Sequence, residues 1–106
     1  MLDSRLKNYD WFHLAVEILY FKHVNYDLAI EVADQAFEQS KTQSDLIAAL
    51  SLTNKATAYF KKGDIVNAIK VQEESVKYAK RSKEGNLKYF EDQLYEYKKT
   101  YQVSKE

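Results

Sequence analysis

The sequence predicts an all-α chain in which two antiparallel helical hairpins are closed by a fifth, capping helix. Three observations carry that reading. There is no proline and there are only two glycines in 106 residues, whereas β-meanders and long loops need more turn residues. Apolar residues recur at spacings of three and four along five successive segments. The breaks between those segments are short polar clusters of helix-capping chemistry.

Taken in order, residues 1–8 are mostly polar, with Leu2 and Leu6 one helical turn apart, and read as a leader turn or an extension of the first helix. The first clear helix spans 9–23, with Asp10 as a candidate cap and Leu14, Ile18 and Phe21 on one face. Trp11, Phe12, Ala15, Val16, Leu19 and Tyr20 fill most of the other faces. A helix this apolar all round needs neighbours on more than one side. Asn25 ends the next break and can cap a second helix over 26–39, whose apolar face is Leu28, Ala29, Val32, Ala33, Ala36 and Phe37.

The polar run 40–45 then leads, with Ser44 or Asp45 as cap, into a third helix over 46–62. Lys62-Gly63-Asp64 is a tight turn in which Gly63 can take a positive φ and Asp64 can cap the fourth helix, 65–82. Small residues at Ala56, Ala58, Ala68 and Ala79 let helices approach closely. Gly85 and Asn86 supply the C-cap and N-cap expected at the last break. A fifth helix over 87–103 shows one stripe, Leu87, Phe90, Leu94, Tyr97 and Tyr101, opposite Lys88, Glu91, Asp92, Glu96 and Lys99. One dry and one wet face suit a terminal helix.

Composition removes several function classes. Sixteen basic residues balance sixteen acidic ones, so the basic excess that gives nucleic-acid binders much of their affinity is missing. Cysteine is absent, which excludes disulfides, thiolate metal sites and cysteine nucleophiles. No apolar run approaches the roughly 20 residues of a membrane span, and the start MLDSRLKNYD has no apolar h-region. The expected protein is soluble, in the cytoplasm unless an export signal has been removed.

Catalysis has little to stand on. His13 and His23 are the only histidines and match no HExxH pattern; His13 is expected in the core and His23 in a turn. Glu73-Glu74 and Glu91-Asp92 are sequence neighbours that diverge around a helix. Two isolated glycines cannot build a phosphate loop. No cofactor and no metal site is expected, and the protein is read as no enzyme.

The two hairpins repeat each other. At a constant offset of 39 residues, Tyr20-Phe21-Lys22 falls on Tyr59-Phe60-Lys61, Asn25 on Asp64, Ala29-Ile30 on Ala68-Ile69 and Ala36 on Ser75. Ala58-Tyr59, Gly63-Asp64 and Ala68-Ile69 resemble the core of a tetratricopeptide repeat (TPR), and the long period is similar to long-helix variants, the common period being about 34 residues. Val24 stands where the turn glycine is usual, Glu17 where a small residue is, and Lys55 at a normally apolar position. AIKVQEESVKYAK with the following Tyr- and Lys-rich helix also resembles TPR segments appended to bacterial thioredoxin-like envelope proteins. In that case the chain is the accessory module, since it lacks Cys-x-x-Cys.

The resemblance implies a single TPR-like domain over 1–106, an α-solenoid fragment, with repeat one at 9–43, repeat two at 44–83 and a capping helix at 86–104. It also implies a concave groove lined by the first helix of each pair. Carried onto this chain, that groove takes Trp11, Leu14, Ile18, Phe21 and Lys22 from repeat one, and Leu50, Thr53, Thr57, Phe60 and Lys61 from repeat two. The last helix adds Tyr95, Lys98 and Lys99. An aromatic trough dotted with Lys22, Lys61 and Lys98 would suit a peptide bearing acidic groups. The carboxylate clamp of chaperone-binding TPR domains is not expected, because Leu14 and Ile18 stand where it needs Lys and Asn, and only Asn54 could match.

Two functions stay open on this reading. The first is a non-enzymatic protein–protein interaction module holding a peptide or partner segment in the groove. The second is a structural or dimerisation domain excised from a larger protein, with no peptide groove. Trp11 and Phe12 at the chain end favour self-association, the first helix burying itself in a second copy as a homodimer.

Overall fold

A computed structural model describes residues 8–20 and 25–105. Five α-helices account for nearly all of them: α1 (Asn8–Tyr20), α2 (Tyr26–Ser40), α3 (Asp45–Lys62), α4 (Ile65–Arg81) and α5 (Leu87–Lys105). There is no strand among the described residues, and none of the described helices is long and apolar enough to cross a membrane. The fold is all-α. Each helix packs on the next in sequence, and α1 also reaches α3. The molecule measures 47 × 33 × 19 Å, so its thinnest dimension is about two helix diameters of roughly 10 Å.

Side chains and glycine set the helix ends. The Asn25 carboxamide oxygen accepts from the Leu28 amide at 3.0 Å, and the Ser44 hydroxyl accepts from the Ile47 amide at 3.1 Å. At the central turn Gly63 has φ 99°; its N–H and that of Asp64 return to the carbonyls of Phe60 and Tyr59 at 3.0 and 2.8 Å. Asp64 then caps α4, accepting from the Asn67 amide at 3.2 Å and from its side-chain nitrogen at 2.6 Å. Those two bonds, the side-chain one foremost, hold the Asp64 carboxyl below its ordinary pKa.

Gly85 departs from expectation. The fourth helix ends at Arg81 and is followed by Ser82, its C-cap, whose backbone is extended (φ −77°, ψ 138°), and Gly85 has no positive φ. Space, not backbone conformation, selects glycine here: a Cβ at Gly85 would lie 2.8 Å from Leu46 Cδ1 of α3. Asn86 does work at the start of α5, its side chain accepting from the Lys88 amide at 3.1 Å.

Alanine dominates the seams. Of the 17 buried hydrophobic residues among those described, ten are alanine. Trp11, Ala15, Val32, Ala33 and Ala36 join α1 to α2. Leu19, Ala29 and Ala58 join both to α3. Ala56, Ala68 and Tyr97, and beside them Ala49, Val76, Ala79 and Phe90, tie α3, α4 and α5 together. Helix α3 is thus the shared element. Burial also follows the 39-residue offset: Ala15 and Asn54, Leu19 and Ala58, Ala29 and Ala68, Ala33 and Gln72, Ala36 and Ser75, and Ser40 and Ala79 are all buried.

Ion pairs register α2 against α3. Lys62 of α3 pairs with Asp27, and Lys55 with Asp34 at 2.7 Å. The charge at Lys55, where the resemblance implies an apolar residue, therefore has a partner across the seam. On the far side, Phe37 of α2 meets Tyr78 of α4 edge-on at 5.3 Å. Arg81 lies 4.2 Å over the Tyr78 ring and reaches Asp45 at 3.2 Å.

Two expectations for α1 are corrected. Trp11 is 7% exposed and packs inside its own hairpin, because the alanines of α2 leave room for an indole between the helices. It is not presented to a second copy. His13 is exposed rather than in the core, its ring 5.6 Å from that of Phe12. His23 lies outside the described residues.

Candidate binding groove

Helix α3 continues past its seam with α4 to a face that carries Thr57, Phe60 and Lys61. Helix α5, held by Phe90 and Tyr97, runs beside it. Phe60 and Tyr97 stack with ring centroids 4.7 Å apart and planes 26° from parallel. Around this stack lies a half-open cavity of about 350 Å³ lined by Thr57, Phe60, Lys61, Tyr89, Gln93, Glu96, Tyr97 and Thr100.

Hydroxyls order its polar rim. Thr57 Oγ1 donates to the Thr53 carbonyl at 2.9 Å and lies 3.3 Å from the Tyr97 hydroxyl. Thr100 Oγ1 donates to the Glu96 carbonyl at 2.9 Å. Behind them Ser75 Oγ donates to the Ala49 carbonyl at 2.7 Å. The 2.9 Å contact between Thr53 and Ser75 is therefore a donation from Thr53.

The groove residues expected from sequence part company here. Thr57, Phe60 and Lys61 line the cavity. Thr53 does not face a ligand: it is 3% exposed and spends its hydroxyl on Ser75 of α4. Trp11 is buried between α1 and α2, with Leu14 and Ile18 half-buried against the same cluster. Leu50 packs with the core around Phe90. Tyr95, 63% exposed, is on the outer side of α5 with Lys99 at 6.0 Å from its ring. Lys98 pairs with Glu73 of α4 at 3.6 Å. Phe21 and Lys22 lie outside the described residues. Asn54 is buried, and its Nδ2 has no hydrogen-bond partner among the described residues.

Sequence reasoning missed Tyr89, Gln93, Glu96, Tyr97 and Thr100. The signal was present. Tyr89, Gln93, Glu96 and Thr100 recur at spacings of four, three and four, so they form the strip next to the buried Phe90–Tyr97 stripe.

The arrangement offers binding chemistry: an aromatic platform, hydroxyls, an amide and one charge of each sign. Among the described residues, no three histidine or acidic side chains converge as metal ligands would. Comparison with known proteins finds no matching family model, no matching curated protein and no matching solved structure.

Proposed function

We propose that the chain is a non-enzymatic protein–protein interaction module, TPR-like in organisation, that holds a segment of a partner in the α3/α5 groove. One observation carries the reading. An aromatic pair stands in a half-open cavity of about 350 Å³ with polar groups around its rim. Aromatic anchors surrounded by polar groups are the usual make-up of a binding hot spot. The recurrence of buried positions at the 39-residue offset supports the repeat organisation, and the burial of Trp11 removes the strongest argument for dimerisation through α1.

The test is to pan a random peptide library against the protein and titrate the selected peptides into the 15N-labelled chain. Shifts are expected at residues 57–61 and 89–100. Phe60→Ala should weaken binding at least tenfold. Because Phe60 is only half-buried, the same substitution should cost about 1–2 kcal/mol of stability rather than the roughly 3–5 of a fully buried aromatic. Selected peptides that map elsewhere, or that bind Phe60→Ala unchanged, would refute the reading.

A further inference from the structure

The hydrogen-bond ledger of the groove says more about its occupant than its shape does. A carbonyl cannot donate, so the single proton of Thr57 Oγ1 goes to Thr53. Its contact with Tyr97 must then be a donation from the tyrosine. Thr100 likewise spends its proton on its own helix, at the Glu96 carbonyl. The two threonine hydroxyls of the lining have thus given up their protons to the protein and present only lone pairs.

Glu96 adds a carboxylate, exposed and without an ion pair among the described residues. Gln93 can turn either end of its amide inward. Lys61 is the cation of the lining, and it already has an interaction of its own. Beside these acceptors stand the Phe60–Tyr97 stack and Tyr89, 44% exposed. A π-face beside a carboxylate and several acceptors complements a planar cation rich in N–H groups. The volume lies at the small end of ligand pockets, which run from roughly 300 to 1,000 Å³, and suits one long side chain.

We infer that the α3/α5 groove takes an arginine side chain of the partner, its guanidinium donating to Glu96 and to the Thr57 and Thr100 hydroxyls and lying against the Phe60 ring. This rests on the interaction-module reading above and reverses the acidic preference that Lys22, Lys61 and Lys98 suggested from sequence. Lys98 is turned to Glu73 and does not join Lys61 in the lining of the groove.

The experiment uses N-acetyl-arginine amide as probe, with N-acetyl-citrulline amide and N-acetyl-glutamate amide as the neutral and acidic comparisons. Each is titrated into the 15N-labelled protein. The arginine probe should shift amides near Thr57, Phe60, Gln93 and Glu96 and saturate at least tenfold below the other two. Glu96→Gln should abolish most of that preference, while Glu91→Gln, an exposed α5 carboxylate outside the groove, should leave it intact. Equal saturation by citrulline, tighter binding by glutamate, or an unaltered preference in Glu96→Gln overturns the inference. If library-selected peptides still map to the groove in that event, only the arginine preference falls. If they map elsewhere, the interaction reading falls with it.

Discussion

Replacing Phe90 by alanine tests how the fifth helix is held. Phe90 is 1% exposed and heads the fully buried side chains by volume. Its ring packs on Ala49 of α3 and on Val76 and Ala79 of α4. Truncation forfeits the transfer free energy of the ring, about 2 kcal/mol. It also leaves a hole, and two of the three buried neighbours are alanines with no rotamer that could swing into it. A residual void on the order of 80 Å³, at about 24 cal/mol per Å³, adds about 2 kcal/mol. The expected loss is about 4 kcal/mol, a large part of the roughly 5–15 kcal/mol available to a domain. Urea unfolding followed by circular dichroism measures it. Amide exchange in α5 should accelerate in the same variant, because α5 has only Phe90 and Tyr97 among its buried residues. A loss below about 1.5 kcal/mol would refute the docking of α5 through this ring, and with it the wall of the groove.

Other substitutions probe the turns and the buried polar groups. Gly63→Ala meets no atom within 4 Å, so its cost is conformational, about 1–2 kcal/mol for a side chain forced to positive φ; thermal melting measures it, and Gly63→Asn should recover part. Gly85→Ala instead meets Leu46 Cδ1, the far end of a flexible side chain, and a loss above about 2 kcal/mol would mean that Leu46 cannot give way. Gln72 is fully buried, donates to the Phe90 carbonyl at 3.0 Å and leaves its Oε1 without a hydrogen bond among the described residues. Gln72→Met should therefore stay within about 1 kcal/mol of the parent in urea unfolding, while Gln72→Glu should lose several and recover some as pH falls and the buried carboxyl is protonated. The Asp64 carboxyl titrates below its ordinary value when folded, so its contribution is present at neutral pH and lost as pH falls below about 4. The melting temperature of the parent relative to Asp64→Asn should accordingly drop between pH 7 and pH 3; a constant difference would contradict the assigned cap.

The features legible in sequence were those written in local chemistry. Asn25, Ser44, Gly63 and Asp64 announce their roles because a cap needs only its own side chain and the next three amides. The stripe Leu87, Phe90, Leu94, Tyr97 locates the docked face of α5 because periodicity reports burial directly. What could not be read was which way a half-polar residue turns. Thr53 and Thr57 are one helical turn apart on α3, yet one is committed to Ser75 across a seam and the other lines the cavity. Nothing in α3 alone distinguishes them, since the difference lies in the position of α4. Trp11 misled for a related reason: a large aromatic near a chain end reads as a contact surface unless the alanines opposite it are recognised as the space it fills. Gly85 misled because glycine serves close approach as well as positive φ.

The alanine seams have a mechanical consequence. A methyl group has no torsion through which a neighbour's displacement can be absorbed, so the seams of α1 to α4 are stiffest where alanine lines them. At α5 the buried contacts are made by long side chains alone, Phe90 and Tyr97, whose torsions can adjust by small angles. Compliance is therefore concentrated along one edge, and that edge is a wall of the groove. A ligand that widened the groove would do so by tilting α5 on these two aromatic pivots while the alanine seams beneath kept their shape.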